Sequence, residues 1–193
     1  MIRDRSTCHL VDARLPVCLT KTEESSRYRE PLSDSDWQTV CEQIGTQIHQ
    51  LDQDQVQWLT EQIRQDILWL DQTMTEYCQL TCPACKDPCC TGTGIFYNLA
   101  DILYLAAHSD LLPPSGQTRQ NASAPCRYLT SHGCLLPRPQ RPYICVWFLC
   151  EPQMELLSTT PPAYQRRVIN TFQHIRTCRL QLETLYERRF QQA

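Results

Sequence analysis

The chain has 193 residues, 41% of them apolar and 20% charged, with 13 prolines and a formal net charge of −3. That size and balance suit one folded domain with helical extensions and exclude both a disordered chain and a fibrous one. The outlier is the 13 cysteines, set against 5 glycines and 3 methionines.

Residues 1–32 mix charges, carry two prolines and show no sustained period, so they read as an irregular N-terminal arm holding Cys8 and Cys18. No apolar core of a secretory signal is seen in the opening MIRDRSTCHL. The longest apolar run, 144–150, is seven residues, where a membrane span needs about twenty. We therefore expect a cytoplasmic chain with no membrane segment. The helical segment 33–77 opens on Ser35 and Gln38, spaced as a capping box, followed by Val40, Ile44, Ile48 and Leu51 at helical intervals. After 52–55 a second amphipathic helix runs through Val56, Leu59, Ile63, Ile67, Leu70, Met74 and Tyr77. A short helix is predicted at 98–107 with Asn98 as its N-cap. The stretch 113–125, PPSGQTRQNASAP, has loop composition, including a sequon at Asn121 that the expected compartment leaves unused. Short extended pieces are expected at 126–129, at Leu135 and at 144–148, with a turn at 131–133. A last helix follows Pro161 and Pro162 through Val168, Phe172, Ile175, Leu182, Leu185 and Tyr186.

Charge is unevenly distributed. Residues 33–110 hold twelve acids against Arg64 and Lys86, while residues 161–193 hold six arginines against Glu183 and Glu187. This predicts a basic C-terminal helix lying beside an acidic helical segment. No aromatic interleaving or known motif supports nucleic acid as a partner of that helix.

In a reducing compartment disulfides are rare, and clustered cysteines more often bind metal. Cys82 and Cys85 have the C-x2-C spacing that turns two thiolates toward one ion, and Cys89 and Cys90 follow in CPACKDPCC. Cys126, Cys134, Cys145 and Cys150 form a second group. Soft thiolates select zinc or iron–sulfur chemistry. The vicinal pair Cys89-Cys90 does not readily complete one tetrahedral site, so one of the two is expected to serve a second metal atom or to stay free. The dispersed Cys8, Cys18, Cys41 and Cys178 read as small buried hydrophobes. Of five histidines only His132 lies among the cysteines, in a turn-like Ser-His-Gly setting. Arg127 and Arg141 have two readings, donors to cluster sulfurs or salt bridges to the acidic helices. Trp147 and Phe148 are expected to shield the centre from water, and Gly92 and Gly94 to allow close backbone approach to the metal.

These residues resemble the CxxCxxxxCC cysteine-cluster family of zinc- or iron-chelating domains. The resemblance spans about 78–150 and rests on Cys82, Cys85, Cys89 and Cys90, the following Asp101-Ile102, then Cys126, Leu129 and Cys134, and finally Arg141-Pro142 ahead of Cys145, Phe148 and Cys150. Three residues separate Cys85 from Cys89 where the family name implies four, and Val146 and Leu149 replace a usual basic residue and proline. The resemblance implies metal chelation. Some relatives carry such a cluster in flagellin lysine methylases, which gives the alternative of an iron–sulfur enzyme of redox or methyl-transfer type. Cys78, Cys82 and Cys85 also spell the C-x3-C-x2-C of radical S-adenosylmethionine enzymes, but no alternating strand–helix pattern or glycine-rich loop accompanies them. A thiol hydrolase or oxidoreductase lacks an evident Cys/His/Asp set. The expected architecture is mainly α: helices flanking a loop-rich, cysteine-rich metal-centred core with little β structure, in which 1–32, 33–77, 78–150 and 161–193 make one unit. Its expected partner is a metal ion or cluster, and no protein partner is indicated.

Overall fold

In the computed structural model residues 30–190 are described, apart from Asp87, Thr93 and His132. The expected N-terminal arm with Cys8 and Cys18 lies almost wholly outside the described residues, as does His132. Six α-helices run in the order α1 (Asp34–Ile48), α2 (Gln53–Thr81), α3 (Leu99–Ala107), α4 (Tyr143–Trp147), α5 (Glu151–Ser158) and α6 (Pro162–Phe190). One antiparallel hairpin, β1 (Leu129–Thr130) and β2 (Gly133–Cys134), is the β structure of the described residues, so the mainly α expectation holds.

Helix α1 begins two residues earlier than the predicted capping box. Ser33, not Ser35, is the N-cap: its Oγ accepts from the Asp36 N–H at 3.2 Å and donates to the Asp36 carboxylate at 2.6 Å. The helix ends at Ile48, which leaves Leu51 in the turn before Asp52, the N-cap of α2. In α2 the predicted stripe from Val56 to Tyr77 is buried throughout. Each such Leu or Ile removed from water stabilises by about 1.5–3 kcal/mol.

The stripe of α2 meets Val168, Phe172, Ile175, Cys178, Leu182 and Tyr186 of α6. Their polar edges fix an antiparallel pairing. Thr73 hydrogen-bonds Tyr164, Arg167 stacks over Trp69 at 4.2 Å, and His174 Nδ1 lies 2.6 Å from Asp66 Oδ2. The acidic and basic segments thus lie side by side as their charge predicts.

Helix α3 is buried on nearly every side, between α1 and α6. Its start is a reciprocal capping box in which Asn98 accepts from the Asp101 N–H at 3.1 Å and Asp101 accepts from the Asn98 N–H at 3.0 Å. The Asp101 carboxylate also accepts from Arg179 NH1 of α6 at 2.6 Å and from the Tyr143 N–H at 2.9 Å. Both ionic side chains are about nineteen-twentieths buried.

This carboxylate explains a correction. Of the stretch 144–148 only Phe148 is extended; 143–147 form α4, because Pro142 sets the entry and Asp101 satisfies the first free N–H of a helical turn. The middle of the chain also has more core than its weak periodicity suggested. Tyr97, Leu99, Ile102, Leu103, Leu105, Tyr128, Leu136, Tyr143 and Val146 all belong to the same apolar cluster as α2 and α6. Within the loop 113–125, residues 117–119 are buried polar side chains.

Removing one partner of a buried ion pair leaves an uncompensated charge. Asp101→Ala should cost about 3–5 kcal/mol, read as a lowered urea midpoint. A loss below about 1 kcal/mol, the range of exposed pairs, would show that Asp101 does not hold α3, α4 and α6 together.

Candidate metal centre

The eleven cysteines among the described residues are all free thiols. Five chain segments carry the candidate ligands. Cys78 is in the last turns of α2, and Cys82 is the C-cap of that helix, its N–H donating to the Cys78 carbonyl at 2.9 Å. Four positions apart on a helix, the two side chains share a face. Cys85 follows on an exposed turn, with its N–H donating to the Cys82 carbonyl at 3.1 Å. Cys89 and Cys90 sit in a 3-10 turn, Cys89–Thr91, closed by Thr91 N–H to the Pro88 carbonyl at 2.9 Å. A side chain at Gly92 would come within 3.1 Å of the Cys89 carbonyl, so the close approach expected of this glycine is to that backbone.

Cys126 opens a turn closed by the Leu129 N–H at 3.2 Å, and Cys134 lies opposite Leu129 in the hairpin. Gly133 takes φ +108°, a left-handed value that suits glycine. Cys145 is in α4 and Cys150 is the N-cap of α5. Gln153 links the last element to the first: its Oε1 accepts from the Cys150 N–H at 3.4 Å, while its Nε2 donates to Thr81 Oγ1 at 3.2 Å and to Cys78 Sγ at 3.6 Å.

The thiols act on one another in two overlapping sets. Burial first, then the nearby Cys78 and Cys90, push the Cys82 thiol up to about 11. Cys89 donates to Cys90 and is raised by that bond first, then by burial and by the charges of Cys90, Cys150 and Cys82. Burial, with smaller effects of Cys134 and Cys90, raises Cys126. Burial, then Cys90, Cys134 and Cys126, raises Cys145. One set is therefore Cys78, Cys82, Cys89 and Cys150, the other Cys126, Cys134 and Cys145. Cys90 is common to both. Cys85 enters neither, and Cys78 takes part although it lies outside the eight cysteines of the two sequence groups.

Cys90 behaves oppositely to its neighbours. The hydrogen bond from Cys89 lowers its thiol first, aided by the Arg141 charge and a backbone N–H, so that it falls to about 6 despite burial. Arg141 itself donates through Nε to the Leu136 carbonyl at 2.8 Å. Its charge also favours the Cys145 thiolate. Of the two readings of the arginines, Arg127 takes the salt bridge, pairing with Asp34 of α1 at 2.7 Å, whereas Arg141 acts on Cys90 and Cys145 through its charge while bonded to the Leu136 carbonyl. Phe148 is exposed and leaves the shielding expected of it to the half-buried Trp147.

Among the described residues no group of three or more His, Cys, Asp or Glu side chains stands close enough together to hold a metal ion. The thiols are neighbours by electrostatics, but they do not converge on one point. Away from the cluster, a Cys/His/Asp line does exist: Cys178 Sγ is 3.7 Å from His174 Nε2, whose Nδ1 faces Asp66. Cys178 is 2% exposed and its thiol is pushed up to about 11 by burial and then Asp66, the reverse of an activated nucleophile. Comparisons with family models, curated proteins and solved structures find no match to this chain.

In reduced, metal-free protein at pH 7, iodoacetamide should label Cys90 ahead of Cys82, Cys145 and Cys41, with peptide mapping as the readout. A thiol lowered from 9.0 to about 6 contributes stability that is present above pH 9 and lost as pH falls through 6. Labelling of Cys90 should fall over that same lower limb. Equal labelling of all exposed thiols at pH 7 would refute the pairing of Cys89 with Cys90.

Proposed function

We propose that this protein binds metal, chelating zinc or an iron–sulfur cluster through Cys82, Cys85, Cys89, Cys90, Cys126, Cys134, Cys145 and Cys150, with Cys78 as a ninth donor in reach. The observation that carries the reading is the mutual coupling of thiols from five separate segments. Each thiolate formed makes the next harder to form, so Cys82, Cys89, Cys126 and Cys145 hold their protons while Cys90 gives up its own. A bound cation supplies the positive charge that reverses this, because a coordinating thiol is deprotonated outright. The donor chemistry fits zinc and iron equally, since both take thiolate sulfur.

Binding needs the sulfurs drawn together. Among the described residues, those with least regular structure that would move lie within 82–98 and 148–150, whereas Cys78, Cys134 and Cys145 are fixed by α2, the hairpin and α4. Cys90 is the residue shared by the two sets, and the vicinal pair divides between them: Cys89 toward Cys82 and Cys150, Cys90 toward Cys126, Cys134 and Cys145. This supports two adjacent metal positions bridged or linked at Cys90.

The test is metal and acid-labile sulfide content of protein purified without oxygen, together with absorption spectra. Iron with equal sulfide identifies a cluster, zinc without sulfide a zinc site, and neither metal refutes the reading. Saturation at a hundred times the dissociation constant should add about 2.7 kcal/mol to stability. Cys90→Ser should lower metal content more than Cys85→Ser does, and equal losses would refute the shared position of Cys90.

A further inference from the structure

We infer that the cavity between the end of α2, the end of α5 and the start of α6 binds a small primary amine with an apolar body, its ammonium held by Glu76, Tyr77 and the Thr73–Tyr164 hydroxyl pair. The inference uses none of the cysteines and goes beyond the chelation reading.

The cavity has a volume of about 420 Å³, within the range of small-molecule sites. Leu80 of α2, Leu156 of α5 and Pro161 just before α6 give it apolar walls, and the rings of Tyr77 and Tyr164 complete them. The polar groups of the lining lie along α2 and the first turn of α6. Thr73 and Tyr164 are hydrogen-bonded to each other through their hydroxyls. Glu76 is exposed and has no ion-pair or hydrogen-bond partner among the described residues.

The observation that points to a ligand is Tyr77. Its side chain is buried, 6% exposed, and its hydroxyl has no hydrogen-bond partner among the described residues. Tyr97, Tyr128, Tyr143 and Tyr186, equally buried, all donate to carbonyl oxygens at 2.5 to 2.7 Å. Tyr104 shares the lack of a partner, but it is not on the lining of this cavity. A buried hydroxyl left unpaired carries its full desolvation cost, so Tyr77 gains from any hydrogen-bonding group that enters beside it.

The charge and valence of the lining select that group. A carboxylate accepts only, a tyrosine or threonine oxygen accepts through its free lone pairs, and an ammonium supplies three N–H donors and no acceptor. Glu76, Tyr77 and the Thr73–Tyr164 pair thus offer one oxygen for each N–H of a primary ammonium. An anionic ligand would be repelled by Glu76. A quaternary ammonium would answer that charge but donate nothing to Tyr77. The leucine and proline walls take the apolar body of the amine.

Calorimetric titration of the full chain with hexylammonium chloride at pH 7 should show one saturable site. Hexyltrimethylammonium has the same charge and chain but no N–H, and should bind about tenfold more weakly or worse. Glu76→Gln should weaken hexylammonium binding by about tenfold. Tyr77→Phe should weaken it by about fivefold while leaving the urea midpoint of the free protein equal or higher, because it removes an unpaired hydroxyl. The inference is overturned if hexylammonium does not saturate at millimolar concentration, if the two cations bind equally, or if either variant binds like the wild type. A Tyr77→Phe chain that is destabilised or fails to fold overturns it as well, since the hydroxyl would then already have a partner. Metal and sulfide content decides the chelation reading separately from every one of these outcomes.

Discussion

The carboxylate of Asp101 is the point through which three parts of the chain are tied. It closes the capping box that starts α3, accepts the leading N–H of α4 and neutralises Arg179 of α6. Arg179 in turn donates to Asn98 at 2.9 Å and lies over the Tyr143 ring at 4.6 Å. Desolvating a carboxylate is costly unless its lone pairs are used, and here they are used by groups from three elements. The energetic result is a joint more than a bond. The cysteine region hangs on it, because α4 carries Cys145 and α3 fixes where the first cysteine block must end.

The cysteine region holds an electrostatic conflict in two forms. Cys82, Cys89, Cys126 and Cys145 resist ionisation, whereas Cys90 does not, because its neighbour Cys89 donates to it. A few residues away a guanidinium is buried without an anion. Each is an unfavourable arrangement for a folded interior.

Helical spacing made α1, α2, α3 and α6 legible in the sequence, since apolar residues recurring every three or four positions have one economical solution. The charge asymmetry likewise foretold the pairing of α2 with α6. What escaped was decided by distant partners. The stretch containing Ile144 and Val146 reads as a buried strand, and it is a helix because a carboxylate 42 residues away caps it. Ser35 looked like a cap by spacing, but Ser33 has the extended backbone a cap requires. Gln117, Thr118 and Arg119 sit in a stretch whose composition says solvent, yet all three are buried, the first two through side-chain bonds to Tyr97 and Ile95. Cysteine spacing drew the two sequence groups, but the nearness of Cys78 to Cys82 depends on α2 continuing four residues past Tyr77 and so presenting both on one face.

The order in which a ribosome makes these parts adds a constraint of timing. Asp101 is synthesised 78 residues before the arginine that neutralises it, and the stripe of α2 waits still longer for the α6 residues that cover it. Every candidate ligand up to Cys150 leaves the ribosome before that cover exists. A nascent chain therefore presents its thiols on an unfinished scaffold, with Asp101 unneutralised and one side of α2 bare. Closure of the C-terminal helix is thus the event that completes the frame around the cysteines.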